Sequence, residues 1–136
     1  MLTDYHMHLQ PDGAGPRAEA APRWDAEGGH LSRGWIGRYV ARARARAVGE
    51  IAVTEHVYRF AQARSWLPGN PFWQQESTED VDAYCEAILV ARDEGLPVLL
   101  GLEADWLADR RDDIAAFLGG RPFDLVLGSV HFLGGR

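Results

Sequence analysis

Four segments of the sequence carry an apolar run into histidine or an acid: LTDYHMH, EIAVTEH, PVLLGLEAD and DLVLGSVH. They put His6, His8, His56, Glu103 and His131 where a strand would give way to a loop, using four of the chain's five histidines. Imidazole and carboxylate donors suit zinc, manganese or iron near neutral pH, so the set points to metal binding. Side chains repeat every second residue along a strand, which puts Asp4, His6 and His8 on one face, with the two imidazoles close enough to share an ion. Glu103 closes the apolar run VLLGL. A carboxylate buried there needs a cation or strong donors, with an arginine partner as the structural alternative to a metal. His56 and His131 each follow a strand-like run, and either one alone reads equally as a hydrogen-bonded loop residue. Asp12 stands in a Pro-Asp-Gly turn, where an aspartate commonly bonds its own backbone.

The elements that must bring these residues together alternate as β-loop-α-β-loop-α-β-α-β. Strands are expected over Leu2 to His8, Glu50 to Thr54, Pro97 to Glu103 and Phe123 to Val130. The third is apolar throughout, as in a strand buried on both faces. Ser32 caps a helix running to about Val48, with Trp35, Ile36, Tyr39, Val40 and Ala43 on one stripe and Gly49 as the stop. Ser77 to Asp80 matches a capping box ahead of Val81, Tyr84, Ile88 and Ala91, a helix stopped by Gly95 and Pro97. A short helix spans Asp109 to Leu118. PDGAGPRAEAAP and YRFAQARSWLPGNPFWQQ read as long loops. The alternation predicts an α/β fold with a parallel sheet, whose strand C-termini gather on one face.

The chain has 136 residues, 46% hydrophobic and 25% charged, as expected of one soluble globular unit. No apolar run is long enough for a transmembrane helix, and MLTDYHMHL lacks the basic start of a signal peptide. The single cysteine, Cys85, falls on the apolar side of a helix and reads as core filler, which fits a reducing cytoplasm. A net charge of -6 disfavours nucleic acid and would repel an anionic substrate unless bound cations reverse the field locally. All 14 basic residues are arginine.

TDYHMH, VTEH, GLEAD and GSVH resemble, in order, the first four motifs of the PHP (polymerase and histidinol phosphatase) superfamily, most closely its histidinol-phosphatase branch. That resemblance implies a distorted TIM-like (βα)7 barrel, with residues 1–136 forming its first four βα units as the N-terminal part of a single domain. It implies two or three divalent ions (zinc, manganese or iron) at the C-terminal face, and a small phosphorylated substrate. By position, His6 and His8 resemble ligands of the first metal and Glu103 the carboxylate bridging the first and second. His131 resembles a ligand of the second metal, and His56, with Asp12 as companion, of the third. Glu103 and His131 would serve catalysis through metal-activated water. Asp4 and Glu55 would orient the imidazole rings. The expected reaction is hydrolysis of L-histidinol phosphate to L-histidinol and phosphate, a step of histidine biosynthesis. Arg59 and Arg64, on the aromatic loop, are candidate phosphate contacts.

Members of the family are considerably longer, and their later strands add another histidine and an Asp-x-His motif. The chain ends just past His131, so it is expected to be truncated, with an unpaired strand edge and uncovered apolar surface. Three alternatives stay open. One is another phosphoesterase of the superfamily acting on nucleotides or oligonucleotides. Another is an amidohydrolase barrel, many of which bridge their metals with a modified lysine that this chain lacks. The third is an inactive fragment.

Overall fold

The computed structural model describes residues 1–134. Four parallel strands form one curled sheet in the order β1-β2-β3-β4: β1 Leu2–Asp4, β2 Val48–Val53, β3 Val98–Asp105 and β4 Leu125–Ser129. Between them lie α1 Ala14–Asp25, α2 Arg33–Arg44, α3 Pro71–Glu76, α4 Val81–Asp93 and α5 Arg111–Gly119, with 3-10 turns at Val57–Arg59, Ala61–Trp66 and Ala108–Arg110. The fold is mixed α/β, as the alternation of strand and helix predicts.

The core sits where α2 and α4 cover β2 and β3. Ile36 and Val40 from α2, and Tyr84 and Ile88 from α4, pack with Ile51, Val53, Leu100 and Leu102. β3 is buried at seven of its eight positions, which matches its unbroken apolar sequence. Gly101 is required in that strand: a Cβ there would lie 2.6 Å from Thr54 Cγ2 and 2.8 Å from the Val53 carbonyl. The Tyr84 hydroxyl sits between the Val53 and Gly101 carbonyls, at 2.9 and 2.8 Å, and fastens α4 to both central strands.

Several boundaries differ from the sequence reading. α2 is capped by Ser32, whose Oγ accepts the Trp35 amide, but it ends at Arg44 and the chain turns through Ala47 at φ 59, while Gly49 belongs to β2. The cap of α4 is Asp80, accepting the Asp82 amide. Ser77 instead closes α3, donating to the Trp73 and Tyr58 carbonyls. Gly95, at φ 93, ends α4 with the Leu96 amide reaching back to Ala91, as in a Schellman closure.

Both expected long loops contain helices. α1 exposes most of its length, burying only Trp24, and is tied down by Arg17, which grips the buried Glu76 with both terminal guanidinium nitrogens. α3 starts with Asn70 as cap and Pro71 in the first turn, where a proline forfeits no helical bond. β1 and β4 are the sheet's edges among the described residues, and Trp106, Val126, Val130 and Leu133 lie exposed beside β4. No helix among the described residues is long and apolar enough to cross a membrane.

Candidate metal centre

Because all four strands are parallel, every strand-ending motif arrives at the same end of the sheet, where the strand C-termini lie. β1 stops at Asp4, so His6 and His8 lie in the segment beyond it rather than on the strand. Backbone bonds still hold that segment in place: the Thr54 amide donates to the Met7 carbonyl at 2.8 Å. The Glu103 amide donates to the Glu55 carbonyl at 2.9 Å, and His56 pairs with Glu103 as an isolated bridge, so β2 and β3 stay in register past the last strand residue.

Glu103, 3% exposed, is the hub. Its Oε2 lies 2.8 Å from His6 Nε2, 3.4 Å from His8 Nε2 and 3.4 Å from His56 Nδ1. Its Oε1 lies 3.4 Å from His131 Nε2. Donor atoms bound to one ion at about 2.1 Å stand roughly 3.0–3.4 Å apart, so most of these spacings are those of shared ligation. His6, His8 and Glu103 form one group that could hold a metal ion, and His56, Asp105 and His131 form another.

The donor chemistry fits divalent cations. Among the described residues, His56 Nδ1 and Asp105 Oδ2 are buried and lack a hydrogen-bond partner, an arrangement costly without a counterpart. Burial pushes the His56 imidazole down to about 3. Nearby His8, Arg59 and His131 act in the same direction, while Glu103 opposes them. The ring is therefore neutral near pH 7, the form in which imidazole binds metals. Asp105 sits above the usual carboxylate range because of burial, partly offset by its bond to His131.

The remaining side chains hold the ligands. Tyr58 stacks on His56 with ring centroids 4.5 Å apart, and His8 stacks on the other side at 4.3 Å. Asp105 Oδ1 lies 2.7 Å from His131 Nδ1 and 3.3 Å from the His131 amide. Asp105 belongs to the GLEAD motif but is not among the site residues expected from the sequence. The period of two from Glu103, which puts both acids on one face of β3, is the signal that finds it.

The structure assigns other roles to several expected site residues. Asp4 accepts the His6 backbone amide at 3.2 Å and does not hold an imidazole ring. Glu55 accepts the Leu9 amide at 2.6 Å and lies 2.9 Å from Arg59 Nε, while His8 Nδ1 is 3.7 Å away, so it chiefly fixes the chain after His8. Asp12 comes to 3.6 Å of His56 Nε2, but its oxygens accept from Tyr58 at 2.8 Å and Arg59 at 2.6 Å. Arg59 is no open phosphate contact: it is 1% exposed, and it spends its donors on Asp12 and the Gln10 carbonyl beside Glu55. Arg64 is exposed and bonds Gln74 at 3.1 Å. His30, the fifth histidine, pairs with Glu79 at 2.9 Å away from the cluster.

No protein-family profile matches the chain, and no curated protein matches it.

Proposed function

We propose that this chain carries the metal centre of a phosphoesterase of the PHP kind, built on the first βα units of such a barrel. The observation that carries the reading is the position of Glu103, with one carboxylate oxygen toward His6, His8 and His56 and the other toward His131. A carboxylate with histidines at both oxygens is suited to bridging two cations, and two or three ions of zinc, manganese or iron match the donors. When bound, such cations supply Lewis acidity toward a phosphoryl oxygen and a water acidic enough to react near neutral pH.

The chain's own residues orient the site. A carboxylate at His131 Nδ1 favours the tautomer protonated there, the one whose Nε2 can bind a cation. Tyr58 and His8 clamp the His56 ring between them. The side chains of His6 and His131, 59% and 41% exposed, leave the face open to a ligand.

L-histidinol phosphate, hydrolysed to L-histidinol and phosphate in the cytoplasm, is the substrate that the sequence resemblance favours. A second reading, a phosphoester of nucleotide type, is favoured by the cleft beside α2, where Arg23, Arg38 and Arg42 surround Trp35 and Tyr39. The test is phosphate release from both substrates with added manganese or zinc. The expected result is hydrolysis that chelation abolishes and that Glu103→Gln reduces to background. Hydrolysis unchanged by Glu103→Gln, or none with either cation, contradicts the reading.

A further inference from the structure

Between the exit of β1 and helices α1 and α2 lies a cavity of about 540 Å³, lined by His8, Asp12, Trp24, Trp35, Tyr39 and Arg23 among others. A second space of about 550 Å³ continues outward from it, sharing Arg23, Trp35 and Tyr39 and adding Arg38 and Arg42. Sharing those three walls, the two form a trough bounded at its inner end by His8, a candidate ligand of the metal centre.

The walls are aromatic and braced. Trp24 meets Trp35 edge to face at 6.0 Å, and Trp35 meets Tyr39 at 5.5 Å. Trp35 Nε1 donates to the Leu9 carbonyl at 2.8 Å and the Tyr39 hydroxyl to the same oxygen at 3.4 Å. Their polar atoms are thereby turned onto the backbone, and the ring bodies are left for contact with a ligand.

The rim is cationic. Arg38 is paired with Glu27 at 3.1 Å, whereas Arg23 and Arg42 have no acidic partner among the described residues. A guanidinium presents a planar fork matched to carboxylate or phosphate, and two unpaired ones flank this trough in a chain of net charge -6.

We propose that the trough seats the organic part of a phosphate ester, one with a planar ring bearing a second anionic group, and that Arg23 selects for that group. The proposal rests on the phosphoesterase reading. An ester whose phosphoryl group lies at the metal centre directs its leaving group past His8 and Asp12 into the trough. The ring then lies against Trp35, and a carboxylate or phosphate on its far side reaches Arg23. An ammonium group such as histidinol's finds no acid but Asp12 in that lining, and Asp12 is already engaged by Tyr58 and Arg59. The trough therefore moves the preference from L-histidinol phosphate to esters with a second negative charge.

The test is calorimetric titration, with zinc present, of phenylphosphonate against 4-carboxyphenylphosphonate. The carboxylated ligand is expected to bind about tenfold tighter, the gain of one well-placed charge-assisted contact. Arg23→Gln removes that advantage and Arg23→Lys restores part of it. No advantage in the native chain, or an advantage that survives Arg23→Gln, overturns the proposal. Hydrolysis of phenyl phosphate and 4-carboxyphenyl phosphate separates the two claims. Charge-selective binding without hydrolysis of either ester leaves the trough standing and removes the phosphoesterase reading. Hydrolysis without charge selectivity does the reverse.

Discussion

Asp105, the last residue of β3, lies 2.7 Å from His131, which stands two residues past the end of β4. The contact ties two strand ends together and holds the imidazole by Nδ1, so that Nε2 faces Glu103 at 3.4 Å. Replacing Asp105 with asparagine keeps the size of the side chain but removes its charge. Metal affinity at the His131 side is expected to fall by about 10- to 100-fold, the usual effect of losing a carboxylate behind a ligating histidine. Competition titration with a zinc chelator measures it, and unchanged affinity would place Asp105 outside the centre.

Arg59 holds the underside of the site. Its buried guanidinium faces Glu55, Asp12 and the Gln10 carbonyl, and Glu55 is itself 3% exposed. Arg59→Ala strands a buried carboxylate and is expected to cost about 3–5 kcal/mol in urea denaturation. Arg59→Lys should not recover this, because one ammonium cannot span three acceptors arranged for a fork. A loss below about 1 kcal/mol would show that the network adds little beyond what water supplies.

Cys85 supplies an independent check on the core. It is 6% exposed on α4, and burial pushes its thiol up to about 11. At pH 8 it is therefore protonated as well as shielded, and the thiolate is the reactive form. Iodoacetamide should modify the native chain far more slowly than the chain in denaturant, read by mass spectrometry as a single adduct. Equal rates would show that α4 does not pack as described.

The strands and the two core helices were legible because their signals are local. An unbroken apolar run marks β3, and a helical stripe ending at a glycine marks α4. What was not legible depends on partners distant in sequence. α1 reads as a loop because Pro16 and Pro22 interrupt it, yet Arg17 anchors it to Glu76, a residue 59 positions away. Ser77 fits a capping pattern, but its hydroxyl is drawn to Tyr58 and Trp73 instead, and Asp80 takes the cap. Among the site residues, Arg59 looked free for phosphate because its acids, Glu55 and Asp12, are brought to it only by folding. Strict alternation puts Asp4 on one face with His6 and His8, but β1 ends at Asp4 and the alternation stops there.

Metal stoichiometry tests most directly whether Glu103 organises a two-sided metal site, as proposed. Native chain and Glu103→Gln, each dialysed against zinc or manganese and then freed of excess, should be compared by elemental analysis, with circular dichroism confirming equal folding. About two ions per native chain are expected, one for each side of the carboxylate, with loss of most of that metal in the variant. A native chain that retains no transition metal, or a Glu103→Gln chain that retains as much as the native one, would contradict the proposal.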